Sequence, residues 1–276
     1  MKSIKLFFER YSEFLMADID KPDLTEEERK YREDSYLRFI GQPPKYNVKF
    51  IRSKENNFKI ELFQRTTEII TCFYKLHDYK HITLINSNKK SDRIPAFDNP
   101  LHHKLNVFRI RYEWFLHNAY MLEERMLNLA NWIKNRYKKH SKYSTEILAI
   151  VTFSQEYNNV IKRNFLKVRT ARSLHVHQYL HENKEISVLG NLATMAYLGK
   201  IPGKELSIFK FDFNQRYKKY NRYTVKTVDK WIADIDKLMN DFIGQLYSLL
   251  YTQNGDFIYP SSLDINLRKN RLSKLK

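Results

Sequence analysis

Residues 101–133 read LHHKLNVFRIRYEWFLHNAYMLEERMLNLANWI, and this stretch decides the fold. Leu105, Phe108, Tyr112, Phe115, Leu116, Ala119, Leu122, Met126, Leu129, Ala130 and Ile133 recur at three- and four-residue spacing. That spacing keeps one apolar stripe on a single helical face for nearly eight turns. A surface helix of that length needs partners along its whole stripe. The rest of the chain supplies them. Between Gly41 and Gly190 there is no glycine, and between Pro100 and Pro202 no proline. Without these breakers, long helices are the expected outcome.

Outward from the central stretch, Asn135 to Tyr143 is polar and basic and reads as a helix–helix turn. A second long helix is expected from Ser144, with Glu146 in its first turn. Its stripe is Ile147, Ile150, Val151, Tyr157, Val160, Ile161, Phe165 and Val168, and it continues to about Tyr179. His181 to Lys184 ends it. Residues 186–198 form a short helix, and Gly199 to Gly203 a turn. Ile208-Phe-Lys-Phe-Asp-Phe213 partly alternates and is expected as an edge strand or extended arm. A last helix of about thirty residues follows through Val228, Trp231, Ile235, Met239, Phe242 and Leu249. Upstream, residues 3–18 carry a helical stripe. Thr25 with Glu28 forms a capping box for a second helix ending before Gly41. Residues 57–80 are helical again, His81 to Asn86 a short strand, and residues 87–100 a loop. The expected architecture is all-α, an antiparallel helical bundle with at most short β segments. Its expected parts are an N-terminal helical extension over 1–100, the bundle over 101–255 and a basic tail over 256–276.

Composition narrows the function. Formal net charge is +18. Residues 101–204 carry 17 basic and 7 acidic side chains, against 19 and 16 in residues 1–100. A concentrated positive field suits a polyanion such as nucleic acid, although a lysine-rich genome alone also yields basic proteins. The single cysteine, Cys72, lies among apolar neighbours and excludes an intrachain disulfide, which fits a reducing cytoplasmic setting. No run of eighteen apolar residues exists, so no membrane span is expected. Met1 to Leu15, interrupted by Glu9, Arg10 and Glu13, makes a poor signal peptide. Gly-rich phosphate loops, HExxH, GxSxG and zinc-finger spacings are absent.

The chemistry-bearing stretch is Val168-Arg-Thr-Ala-Arg172-Ser-Leu-His175-Val-His177. On an ideal helix Arg172 falls on the face of Phe165 and Val168, so an arginine interrupts an inward stripe. Two explanations stand. It is a structural ion pair with an acid, such as Asp234 or Asp241 of the last helix, or it lines a cleft and holds a phosphate through its fork of donors. His177 and His181 share a face near His175 and Glu182, but no further ligand completes a metal set. No metal or cofactor is expected. The clusters Lys134, Arg136, Lys138, Lys139, Lys142 and Lys162, Arg163, Lys167, Arg169 are each a solvated face or a backbone-tracking patch. Arg216 to Tyr223 interleaves cations with tyrosines, a composition that suits base stacking or simply covers a helix.

Arg172-Ser173-x-x-x-His177 resembles the Arg-polar-x-x-x-His motif of HEPN-domain proteins, helical bundles common among prokaryotic toxins and defence ribonucleases. The motif covers about twelve residues. The family often has Asn after the Arg, where this chain has Ser173. The resemblance implies metal-independent RNA cleavage in a cleft shared by a homodimer, with an antitoxin or regulatory protein as a further partner. It assigns His177 to proton transfer and Arg172 to the phosphate; His175, which shares the inward face with Arg172 on an ideal helix, is a rival for the proton transfer. A non-catalytic RNA-, nucleotide- or partner-binding protein on the same scaffold is the alternative. Arg172 and His177 point about 140° apart on an unbroken helix. They converge only if the helix breaks near Ser173 or if they come from different protomers.

Overall fold

A computed structural model describes residues 2–19, 25–39, 42–46, 54–82, 100–141, 144–177 and 184–260. Among these, the chain is all-α: α1 (Lys2–Ile19), α2 (Glu26–Phe39), α3 (Lys54–Ile82), α4 (Pro100–Tyr137), α5 (Thr145–Asn164), α6 (Leu166–His177), α7 (Lys184–Tyr197) and α8 (Gly203–Leu249). A 3-10 turn, Lys138–His140, joins α4 to α5. The only β feature among the described residues is an isolated bridge between Tyr251 and Phe257. The expected strand at 81–86 lies outside the described residues from Thr83 onward; His81 and Ile82 end α3.

Two compact units emerge, residues 1–66 with 243–276, and residues 67–242. This division differs from the expected cuts at 100 and 255, because α3 and α8 contribute to both units. In the first unit the Phe7 ring packs against Phe63 and Tyr247, with centroids 5.8 and 5.7 Å away. The buried Tyr247 hydroxyl donates to Thr66 Oγ1 at 3.3 Å. Gly255 closes the turn after α8 with φ 87°, a conformation that costs glycine no Cβ clash.

The second unit is built on α4. Phe108, Phe115, Leu116, Ala119, Leu122, Met126, Leu129, Ala130 and Ile133 are all buried, as the stripe requires. Paired contacts set the helix directions. Asn131, Glu123 and Tyr120 of α4 meet Asn158, Arg169 and Arg172 in turn, so α5 and α6 run antiparallel to α4. On α8, Asn214 meets Lys104, Tyr217 meets Phe108 and Trp231 meets Phe115, so α8 runs parallel to it. Tyr79 and Glu68 of α3 meet Phe115 and Arg125, an antiparallel pairing. Ser144 caps α5 by accepting from the Ile147 amide at 3.3 Å, satisfying one orphan donor of the first turn.

Two expectations are corrected. Ile208–Phe213 is not a strand but part of the 47-residue α8. Phe209, Phe211 and Phe213 alternate, yet the positions four apart decide: Phe213 is buried with Leu101, Leu105, Phe108, Leu189 and Ala193, and Phe209 packs beside them. Ile208 and Phe211 are left outside, 69% and 65% exposed. A four-residue period buries more than a two-residue one here because no second strand exists for an arm to pair with among the described residues. Likewise, the single helix expected from Ser144 divides at Phe165 into α5 and α6. Arg169 Nη2 donates to the Lys162 carbonyl at 2.8 Å, and a side chain in the backbone ladder is a recognised cause of such a break. Cys72 is half-buried.

Candidate functional site

The proposed site lies on α6 where it faces α4. Val168 is buried and anchors the helix. One turn on, the Arg172 guanidinium carbon sits 3.7 Å from the centroid of the Tyr120 ring. At that distance the planar cation stacks on the negative face of the ring, worth about 1 kcal/mol when partly exposed. The ion pair with Asp234 or Asp241 does not form, and Arg172 has no carboxylate partner among the described residues. A guanidinium held by its face keeps its edge donors directed outward, in the plane that grips a phosphate. Ser173, the next residue, is exposed.

α6 is helical without interruption from Leu166 to His177. The break is at Phe165, not near Ser173. Positions 172 and 177 of one chain therefore stay about 140° apart around the axis. For the last four residues of α6, which include His175 and His177, the described structure is the backbone alone. His181 and Glu182 lie outside the described residues. Among those described, no cluster of three or more His, Cys, Asp or Glu is placed to hold a metal.

The four cations expected to bind nucleic acid separate into two kinds. Lys162, Arg163 and Lys167 are exposed. Arg169 is engaged: its Nε lies 3.2 Å from Glu123 Oε1, without hydrogen-bond alignment, while Nη2 holds the Lys162 carbonyl. Sequence reasoning missed both α4 partners. Glu123 had a signal, since it sits four residues after Ala119 and three before Met126, an inward position by spacing. Tyr120 had none, because a tyrosine at the stripe's edge is ordinary.

Glu123 is 4% exposed at its side chain. Burial raises its pKa above the ordinary carboxylate value, and Arg169 and Lys162 oppose that rise. A carboxyl raised on folding contributes stability below its unfolded pKa, and that contribution is lost as pH rises through the folded value. Glu123→Gln should therefore gain on the parent chain between about pH 4 and pH 7. Urea midpoints at the two pH values measure this. A parent chain favoured more strongly over the variant at pH 7 than at pH 4 would contradict it.

A groove of about 550 Å³ opens at the α7–α8 elbow, lined by Met195, Lys200, Ile201, Pro202, Glu205, Ile208, Phe209 and Asp212. It includes no α6 residue. No helix among the described residues is long and apolar enough to cross a membrane. Comparison with protein-family models, curated proteins and solved structures returns no match.

Proposed function

We propose that this chain is a metal-independent endoribonuclease of HEPN type, working in the cytoplasm as a homodimer. The observation that carries the reading is Arg172, stacked on Tyr120 at 3.7 Å with no carboxylate partner among the described residues. A buried structural arginine would be neutralised by an acid. One fixed by an aromatic ring keeps its charge for an incoming anion. The unbroken α6 supports the dimer, because Arg172 of one chain then works with His177 of a second copy across a two-fold axis.

In the proposed step the 2′-hydroxyl attacks the adjacent phosphorus. His177, with His175 as the rival, takes the O2′ proton and returns it as imidazolium to the departing O5′. The P–O5′ bond breaks, leaving a 2′,3′-cyclic phosphate and a 5′-hydroxyl. Arg172 stabilises the extra charge on the phosphorane oxygens. Ser173 lies beside Arg172 in sequence and offers a hydroxyl to the same phosphate.

Purified chain incubated with mixed RNA and excess EDTA tests this directly. The expected result is cleavage to cyclic-phosphate ends that EDTA does not stop, from a protein that light scattering finds dimeric. Cleavage abolished by EDTA, or a monomer at micromolar concentration, would count against it. Salt-sensitive RNA binding with no cleavage would favour the non-catalytic binding protein.

A further inference from the structure

The first half of α8 presents a cationic face that the proposed site does not use. Lys219, Arg222, Lys226 and Lys230 are all exposed. On the helix they fall, with Tyr223, inside an arc of about 100° and along about 17 Å of axis. None of the four has an ion-pair partner among the described residues. Arg216, just before them, is tied to Asp212 at 2.9 Å. Asp229 lies outside the arc and is half-buried, and Asp234 stands beyond Lys230. Arg222 with Lys226, and Lys226 with Lys230, are like charges four residues apart, which repel on a helix. Within this cationic field Tyr223 is 66% exposed, while its neighbours Tyr217 and Tyr220 pack against Phe108.

We propose that this stripe is a binding surface for single-stranded RNA, with the four cations along the phosphate backbone and Tyr223 stacked on a base. Charge complementarity selects a polyanion. An exposed ring among the cations selects a strand whose base faces are open, since a duplex hides them. A membrane surface fits less well. Amphipathic helices that lie on lipid need an exposed apolar face along their charged stripe; within this stripe Val228 is buried, and the exposed Ile208 and Phe211 of α8 lie more than two turns before Lys219. At about 3.4 Å per stacked nucleotide the stripe covers roughly five nucleotides. The proposal shares its choice of RNA with the ribonuclease reading but does not depend on cleavage.

The test uses the full chain and a labelled 2′-O-methyl oligoribonucleotide of mixed sequence, which cannot be cut by attack of its own 2′-hydroxyl. Fluorescence anisotropy across a salt series gives the slope of log affinity against log salt. Changing Lys219, Arg222, Lys226 and Lys230 together to Gln should reduce that slope by about 3, at about 0.7 per lost phosphate contact. Tyr223→Ala should weaken binding about 10-fold with the slope kept. The triple K219R/K226R/K230R should keep the parent slope, which separates charge from fold. A quadruple variant with the parent's slope and circular dichroism spectrum overturns the proposal, as does stripe-dependent binding to phosphatidylserine vesicles with none to the oligomer. Normal cleavage of unmodified RNA by the quadruple variant with an unchanged slope sinks the stripe and leaves the ribonuclease standing. Stripe-dependent binding without any cleavage does the reverse.

Discussion

Arg172→Ala is expected to lower RNA cleavage by about 10²- to 10³-fold while leaving RNA binding nearly intact. The size follows from the cost of removing one preorganised donor aimed at developing charge. Binding survives because Lys162, Arg163 and Lys167 are exposed elsewhere on the same helices. Arg172→Lys should not rescue the loss. A lysine ammonium neither stacks flat on Tyr120 nor grips two phosphate oxygens in one plane. Tyr120→Leu removes the platform without removing the cation, and should cost about 10-fold in rate through misplacement of the guanidinium. The readout is the initial rate of cyclic-phosphate formation under EDTA. A rate within threefold of the parent for Arg172→Ala would remove this residue from the chemistry.

Phe115→Ala is expected to destabilise the second unit by about 3–5 kcal/mol, the usual cost of emptying a phenylalanine site. Phe115 is fully buried at the middle of α4. Its ring lies against Trp231 of α8, centroids 6.0 Å apart and planes 16° apart, and against Tyr79 of α3 at 5.6 Å. Three helices therefore share one cavity in the variant, and none can close it alone without moving the others. Thermal unfolding should fall by about 10 °C. Ile110→Ala is the control. Ile110 is on the same helix but 51% exposed, and its loss should stay within about 0.5 kcal/mol. A Phe115→Ala chain as stable as this control would contradict the central place given to α4.

The helices of this chain were legible wherever one stripe recurs without a breaker. Residues 105–133 are the clearest case, because buried positions alone explain their order. Legibility failed where two periods compete. Phe209, Phe211 and Phe213 alternate like a strand, and only the presence of Leu105, Phe108 and Leu189 around Phe213 decides for a helix. It failed again at Phe165, where a guanidinium reaches back to the Lys162 carbonyl beside the break, a contact that no spacing encodes. The division of the chain into two units was likewise invisible, since a helix stripe names a buried face but not the neighbour that buries it.

For the site, the sequence exposed the anomaly and not its resolution. An arginine on an inward stripe is visible from spacing. Its stacking partner is not, because the register between α4 and α6 depends on the turn at Lys138–His140 and the break at Phe165. The unbroken run of α6 through Ser173 keeps positions 172 and 177 of one chain about 140° apart, which supports the proposal that Arg172 works with His177 of a second copy.

Complementation between two inactive chains tests that claim most directly. Arg172→Ala and His177→Ala are each purified, mixed, allowed to exchange subunits and assayed for cleavage with EDTA present. In a cleft shared across a two-fold axis, mixed dimers rebuild one intact Arg172–His177 pair, so the mixture should recover about a quarter of the parent activity while each variant alone stays inactive. No recovery from chains shown to have exchanged into mixed dimers would contradict the shared cleft.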